Sequence, residues 1–244
     1  MIFEFIDSCA STNASMPSDA PHGYVLMARE QTAGRGQRGN SWEAAPGMNV
    51  TMSVMLRPQG LPAAAQFAIS EAVAMGVVDL LDSLGVDGAR VKWPNDIYVG
   101  DRKVCGILIE NSLCGTMVGR SVAGVGLNVN QREFVGGAPN PVSLRQLLGR
   151  DLDVESTGRS LALSVLERFG SEGLHAAYMA RLWRGQGIWP WITDGGERFD
   201  GSVDGVMPTG HIVIGGRTFA FKEVWPADIK DPAKRGTARG PEGC

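Results

Sequence analysis

The segment Gly34-Arg35-Gly36-Gln37-Arg38-Gly39 lies between two strand-like stretches, Tyr24–Arg29 and Asn49–Leu56. Its spacing matches GxGxxG, but a dinucleotide-binding turn needs a helix directly after the glycines, because the helix N-terminus holds the pyrophosphate. An alternating β-type run follows instead. The sequence also lacks the VAIK, HRD and DFG motifs of protein kinases and the GxxxxGK[ST] phosphate loop. We therefore predict a strand-loop-strand unit, which excludes Rossmann, kinase and P-loop folds.

The composition of this loop suits an anion. Glycines allow backbone N–H groups to approach an anion closely, and arginine side chains add planar donors for phosphate oxygens. Gln31 precedes the loop, and Trp42 follows it with a ring that could stack on a base or belong to a core. An ordinary solvated glycine loop is the alternative that the spacing leaves open.

A second unusual segment is Lys92-Trp93-Pro94-Asn95-Asp96, at the end of a predicted strand. Pro94 excludes helical geometry for the residue before it. Asn95 and Asp96 can hydrogen-bond the backbone of the turn, which is a purely structural role, or they can face a ligand.

Lys103 follows in the outgoing arm of a hairpin that Gly100-Asp101 is predicted to close. Strict alternation along a strand places Lys103 on the same face as Cys105, Ile107 and Ile109. A lysine at the head of an apolar face lies at its rim, or it is a buried cation that needs an anionic partner.

The remaining pattern predicts both helices and strands. Helices are expected at Leu61–Leu84, Val142–Leu148 and Glu155–Leu182. Strands are expected at Met1–Ser8, Tyr24–Arg29, Asn49–Leu56, Arg90–Trp93, Ile97–Val99, Arg102–Glu110 and Thr116–Asn130, with short β pieces between Glu197 and Val224. The polar run Ser8–Asn13 is predicted to be a loop or a helix cap.

Composition excludes several classes of function. The chain has 244 residues, a net charge of -3, and four cysteines without CxxC spacing, which disfavours a structural zinc site and a disulfide scaffold. Neither a secretory signal nor the run of about 18 apolar residues that a membrane span needs is present. The slightly negative net charge does not favour binding to nucleic acid. We expect a cytoplasmic protein that binds neither DNA nor membrane.

The sequence resembles the biotin protein ligases in four motifs that occur in order, together with Ser11-Thr12-Asn13 near the N-terminus. The motifs are TAGRGQRGNSW (32–42), KWPND (92–96), DRKVCGILIE (101–110) and GVGLNVN (124–130). The resemblance runs from Met1 to about Trp191. It implies an α+β fold, in which a mixed β-sheet flanked by helices, related to class II aminoacyl-tRNA synthetases, is followed by a small C-terminal SH3-like β-barrel.

The domains implied are a catalytic unit at 1–187 and the barrel at 188–227. The stretch 228–244 is rich in Gly, Pro, Lys and Arg and lacks periodicity, so we predict a disordered tail there. Because the chain starts almost directly at the catalytic motifs, an N-terminal DNA-binding domain is not expected.

The chemistry implied by the resemblance has two steps. The biotin carboxylate attacks the α-phosphate of ATP to give biotinyl-5′-AMP, and a lysine of a biotin carboxyl carrier domain then takes the biotinyl group. Mg²⁺ is expected to enter with ATP, mainly on its phosphates, without a protein metal site.

The resemblance also assigns residues. The catalytic residues implied are Lys103, Arg35, Arg38 and Asp96, with Asp96 orienting or deprotonating the incoming lysine. The biotin-binding residues implied are Ser11, Thr12, Asn13, Gln31, Arg35, Gly36, Gln37, Lys103 and Gly106. The ATP-binding residues implied are Gly34, Gly39, Arg38, Trp42, Lys92, Asn95 and Asn128. Gln37 departs from the family pattern, in which this position is often arginine, so the loop holds one cation fewer.

Three other functions stay open at this stage. A lipoate-protein ligase shares the chemistry, and a non-catalytic regulator would bind biotin or nucleotide without reaction. A nucleic-acid-binding module has in its favour only the loop Gly34–Gly39 with Arg35 and Arg38, the arginine loop. Monomer and homodimer are both compatible with the sequence.

Overall fold

A seven-stranded mixed sheet forms the centre of the molecule in the computed structural model, which describes residues 1–135 and 140–228, apart from the side chain of Arg38. The strand order is β1-β2-β3-β7-β6-β5-β4, with β1 parallel to β2 and every other neighbouring pair antiparallel. The strands are β1 Ile2–Cys9, β2 Tyr24–Gln31, β3 Val50–Leu56, β4 Ala89–Lys92, β5 Asp96–Val99, β6 Arg102–Cys114 and β7 Met117–Leu127.

Three helices cover one face of this sheet. They are α2 (Phe67–Ser83), α4 (Val154–Arg168) and α5 (Leu174–Ala180); two shorter helices are α1 (Thr12–Ser15) and α3 (Leu144–Leu148). The helix α2 packs against α4, α5 and strands β4 to β6, and Gly76 allows α4 to approach, because a Cβ there would lie 2.7 Å from the backbone of Val165. The core therefore lies between α2 and the sheet.

The stretch Ala63–Ser83 is long and apolar enough to pass a length-and-composition test for a membrane span, but 67% of its most apolar window is buried inside the protein. Contact with the sheet and with two helices accounts for this composition.

The predicted helices need correction at their ends. The first one does not begin at Leu61, because a 3₁₀ turn (Ala63–Ala65) after Pro62 precedes α2. The helix predicted at Glu155–Leu182 is two helices, because Gly170 and Gly173 adopt φ of +80° and +67°, which an α-helix does not allow.

At the polar run near the N-terminus, β1 continues to Cys9 and the short α1 begins at Thr12. Ser11 occupies the N-cap position without a side-chain capping bond.

The predicted C-terminal β pieces form two three-stranded antiparallel sheets, ordered β10-β11-β12 and β13-β8-β9. The strands are β8 Trp189–Thr193, β9 Arg198–Gly201, β10 Val203–Val206, β11 Ile212–Ile214, β12 Arg217–Phe219 and β13 Val224–Pro226. The indole N–H of Trp93 donates to the carbonyl of Gly210 at 2.9 Å and so joins this region to the main sheet. The division at residue 187 stays a prediction, and residues 229–244 of the predicted tail lie outside the described residues.

The hairpin at Gly100 is confirmed, but the predicted face of Lys103 is wrong. In the pairing of β5 with β6, Ile97 is opposite Cys105 and Tyr98 is opposite Lys103, so Val104 is an extra, bulged residue. A bulge breaks the two-residue alternation. Cys105 and Ile107 therefore point into the helix-covered core, whereas Lys103 points to the opposite face, as Asp96 does.

Candidate active site

Three glycines form the floor of a cleft on the face of the sheet opposite α2. Gly106 of β6 is paired with Gly126 of β7, and Gly124 lies two residues earlier, opposite Ser53 of β3. Each of these glycines lies against a side chain. A Cβ at Gly106 would lie 2.8 Å from the indole of Trp42, one at Gly126 would overlap the same ring, and one at Gly124 would overlap the amide of Asn13. The glycines thus let Trp42 and Asn13 approach the sheet closely, and a trough of about 140 Å³ lies between these side chains.

Lys103 stands at one end of the trough. Its Nζ lies 2.7 Å from Oδ1 of Asp96, with side-chain exposures of 17% and 19%, and 5.6 Å from the centroid of the Trp42 ring. Of the two interpretations of Lys103, the structure agrees with the cation that has an anionic partner, although the side chain is partly rather than fully buried. The indole N–H of Trp42 is buried without a hydrogen-bond acceptor, and its nitrogen lies against Gly126.

A buried polar wall closes the other end. The carboxamide oxygen of Gln31 accepts from the backbone N–H of Thr12 at 2.7 Å, and the Ser53 hydroxyl lies 2.7 Å from Oγ1 of Thr12 and 2.5 Å from Oδ1 of Asn13. Ser11, Thr12, Asn13 and Ser53 are all buried. These polar atoms satisfy one another in the structure, as buried hydrogen-bonding groups must, and Thr12, Asn13 and Gln31 also border the trough, where a polar ligand group can reach them.

The arginine loop lies over this wall. It contains a 3₁₀ turn (Gln37–Gly39) and then continues towards β3 without an α-helix, as predicted. Arg35 pairs with Glu110 at 3.0 Å, with side-chain exposures of 47% and 41%. The carboxamide oxygen of Gln37 is buried and unpaired beside the trough. The side chain of Arg38 lies outside the described part of the structure.

A larger cavity of about 650 Å³ adjoins the trough. Trp42, Asn95, Asp96 and Lys103 border both spaces. The larger one also reaches the C-terminal sheets, where Phe221 packs edge-on against Trp93 with ring centroids 6.1 Å apart. Lys103 is therefore situated where a smaller and a larger ligand-sized space meet.

Most of the residues assigned from the sequence come together here. The trough is lined by Ser11, Thr12, Asn13, Gln31, Arg35, Gly36, Gln37, Trp42, Asn95, Asp96, Lys103 and Gly106, and the larger cavity by Gly39, Trp42, Lys92, Asn95, Asp96, Lys103 and Asn128. Gly34 borders neither space, and its carbonyl accepts the backbone N–H of Trp42 at 3.0 Å.

Two of the assigned amides already have structural partners. Asn95 donates to the carbonyl of Ile107 at 2.6 Å, and the buried Asn128 donates to the carbonyl of Val142 at 3.1 Å. The side chain of Asn95 therefore has a structural role, but it binds the neighbouring strand β6 rather than the backbone of its own turn.

Four residues of the site are not among those assigned from the sequence: Ser53, Glu110, Gly124 and Gly126. The glycines carried a signal, because Gly124-Val125-Gly126 places two glycines on one face of a single strand. Ser53 lies in an apolar strand pattern and Glu110 at the end of one, and their partners are distant in sequence.

Burial affects the ionisation of two groups near Lys103. It raises the pKa of the Cys105 thiol, so this side chain stays neutral. It also raises the pKa of the Tyr98 hydroxyl, and the charges of Asp96 and Asp101 raise it further. Among the residues that the structure describes, no three His, Cys, Asp or Glu side chains are grouped as metal ligands would be.

The fold resembles solved biotin protein ligases. The chain aligns with the Aquifex aeolicus biotin protein ligase in complex with biotin and ATP at a TM-score of 0.76, with 20% identity over 93% of this chain and 99% of that one. A Helicobacter pylori biotin acetyl coenzyme A carboxylase synthetase with bound biotinylated ATP aligns at 0.60, with 23% identity over 89% and 98% of the two chains. These similarities establish the class of fold.

Sequence comparison identifies the family. A profile of the biotin/lipoate A/B protein ligase family matches residues 2–128. The biotin--[acetyl-CoA-carboxylase] ligase of Paracoccus denitrificans is 35% identical over 89% of this chain and 95% of its own length. The bifunctional ligase/repressor BirA of Escherichia coli is 33% identical over 74% of this chain, which spans 57% of that protein. The chain belongs to the biotin/lipoate A/B protein ligase family.

Proposed function

We propose that this protein is a biotin protein ligase, which activates biotin with ATP to biotinyl-5′-AMP and transfers the biotinyl group to a lysine of a biotin carboxyl carrier domain. The observation that carries the proposal is the position of Lys103, a largely buried cation between the polar-walled trough and the larger cavity. The ligands of the Aquifex aeolicus and Helicobacter pylori proteins support biotin and ATP as the substrates.

Biotin fits the trough better than lipoate does. Thr12 and Gln31 of the polar wall line the trough at the end remote from Lys103 and offer hydrogen-bonding atoms there, which suits the ureido ring of biotin. The dithiolane ring of lipoate has no N–H or C=O group and could form no such hydrogen bond with them. In this orientation the biotin carboxylate points towards Lys103.

The first step joins two anions. A carboxylate oxygen forms a bond to the α-phosphorus, the bond to the bridging oxygen breaks, and pyrophosphate leaves with that oxygen. The Lys103 ammonium offsets the repulsion between the carboxylate and the phosphoryl oxygens, and the charge acts more strongly than in bulk water because only 17% of the side chain is exposed. No side-chain nucleophile is needed, because alignment and charge stabilisation suffice.

In the second step the amine of the carrier lysine attacks the carbonyl carbon of biotinyl-5′-AMP, and the bond from that carbon to the phosphate oxygen breaks. An amide forms, AMP leaves with that oxygen, and the nitrogen releases one proton. Among the described residues, Asp96 is the only carboxylate that borders both spaces, and it is proposed to orient this amine. Its bond to Lys103 also keeps that cation in place.

Mg²⁺ is proposed to enter with ATP as the magnesium complex, because this ion keeps several waters and prefers phosphate oxygens with few protein ligands. A cytoplasmic location is proposed as well, and the free thiols of Cys9, Cys105 and Cys114 are compatible with a reducing compartment.

The test is incubation with MgATP, a generic biotin carboxyl carrier domain, and either biotin or lipoate, followed by mass spectrometry of the carrier. We expect the mass of one biotinyl group on a single lysine. Lipoylation instead of biotinylation would identify a lipoate ligase, and ligand binding without adenylate formation would identify a non-catalytic regulator.

A further inference from the structure

We propose that Glu110 is a positioning residue for biotin. Acting through Asn13 and Ser53, it fixes the direction of the hydroxyl protons in the polar wall, so that Thr12 presents an acceptor to the ligand. The inference rests on the proposed function, because it concerns the N–H groups of a ureido ring.

The chain of contacts starts at a group that can only accept. Oε2 of Glu110 accepts from Nδ2 of Asn13 at 2.7 Å, and the second proton of that amide is directed at the carbonyl of Leu108, 3.3 Å away. Neither a carboxylate nor a carbonyl can donate. The amide of buried Asn13 therefore has one orientation, with its oxygen towards Ser53.

This orientation decides where the proton of Ser53 lies. The Ser53 hydroxyl is 2.5 Å from Oδ1 of Asn13 and 2.7 Å from Oγ1 of Thr12. The amide oxygen of Asn13 accepts only, so Ser53 donates to it. Ser53 then has a free lone pair for a proton from Thr12.

The polar wall has fewer hydroxyl protons than oxygen–oxygen contacts. Three oxygen–oxygen contacts link Asn13, Ser53, Thr12 and Gln31 in a row, and only two hydroxyl protons are available for them. The contact left without a proton is the longest, 3.1 Å between Oγ1 of Thr12 and Oε1 of Gln31. Oε1 of Gln31 already accepts the backbone N–H of Thr12.

Two acceptor oxygens thus lie side by side at the wall of the trough, without a donor between them. A ligand N–H group satisfies this arrangement, whereas a ligand carbonyl at the same place would be repelled. Removal of the Glu110 carboxylate takes away one of the two acceptors that hold the amide of Asn13. A reversed amide would donate to Ser53 and so reverse both hydroxyl protons.

The same carboxylate also binds Arg35 at 3.0 Å, so the experiment must separate the two connections. The variants are Glu110→Leu, Ser53→Ala and their combination, because Ser53 belongs to the row of oxygens but is not a partner of Arg35. Glu110→Gln keeps an accepting oxygen without the charge. Glu197→Leu is the matched control, since Glu197 is an exposed carboxylate paired with Arg217 in the C-terminal sheets.

Biotin affinity is measured by titration calorimetry, and adenylation by biotin-dependent pyrophosphate exchange. We expect Glu110→Leu and Ser53→Ala each to raise the Kd and KM for biotin about tenfold, the effect of one good hydrogen bond. The kcat and the KM for ATP should change little. Glu110→Gln and Glu197→Leu should bind biotin like the wild type, and thermal unfolding shows whether each variant is folded.

The double variant shows whether Glu110 acts through Ser53 or through Arg35. If Glu110 acts through Ser53, the combined loss of affinity equals the larger single loss. Losses that multiply would show that Glu110 acts through Arg35, and wild-type affinity in folded Glu110→Leu would also overturn the inference. A wild-type protein that binds no biotin and makes no adenylate would instead refute the proposed function itself.

Discussion

Replacement of Lys103 by methionine tests the electrostatic basis of the proposed reaction. Methionine keeps an unbranched side chain that can still contact the Trp42 ring, 5.6 Å from the Lys103 ammonium, but it removes the charge. It also leaves the Asp96 carboxylate, 19% exposed, without its cation. The unpaired Asp96 carboxylate should lower the free energy of unfolding, and the missing charge of Lys103 should lower the rate of adenylation.

The effect on stability should be modest. Loss of one partner of a fully buried ion pair costs about 3–5 kcal/mol, and the remaining exposure of both side chains reduces this to about 1–3 kcal/mol through solvent screening. In a chain of this size such a loss lowers the Tm by about 2–12 °C. The double variant Lys103→Met/Asp96→Asn removes the unpaired charge and should recover part of the Tm.

The effect on adenylation should be much larger. One preorganised charge or donor in a water-excluded site contributes about 10²–10³-fold to the rate, and Lys103 carries a full charge, so we expect a loss at the upper end or beyond. The assay is biotin-dependent pyrophosphate exchange at saturating biotin and MgATP, with a folded variant confirmed by circular dichroism. Exchange at the wild-type rate would refute the reasoning.

Three further changes test other parts of the structure. Gly126→Ala should displace the indole of Trp42 from the floor of the trough and weaken biotin binding while the Tm changes little; unchanged affinity would show that the ring can shift freely. Burial raises the pKa of the Cys105 thiol, so only the unfolded chain loses this proton above about pH 8.5, and the free energy of unfolding falls as the pH rises beyond that value. Cys105→Ala should remove this contribution to the alkaline slope, measured as urea midpoints on both sides of that pH, and an equal slope would contradict it. Gly76→Ala should lower the free energy of unfolding by about 1–2 kcal/mol, since overpacking against the backbone of Val165 outweighs the gain in helix propensity; a higher urea midpoint would refute this.

Local patterns were sufficient for much of the fold. Apolar periodicity and turn residues predicted the hairpin at Gly100, the strands around the arginine loop and the position of α2, because these depend on neighbours in the chain. The break within Glu155–Leu182 was missed although glycines mark it at positions 170 and 173. Helical apolar spacing continues across those glycines, and the pattern alone did not show that both adopt positive φ.

The residue types of the site could also be predicted, since cations, amides and glycines at motif positions carry their chemistry with them. Their partners could not. Ser53 and Glu110 complete the polar wall through contacts with Thr12, Asn13 and Arg35, all of them distant in sequence. Only the pairing of β3, β7 and β6 brings those groups together.

The sequence by itself determined that Lys103 is a cation near the head of a strand and that an anionic partner would be needed if it were buried. It did not determine the direction of the side chain, and strict alternation gave the wrong face. One extra residue, Val104, reverses that direction, because a bulge shifts the two-residue period by one position. The pairing between β5 and β6 therefore decided that Lys103 faces the cleft and Asp96 rather than the core.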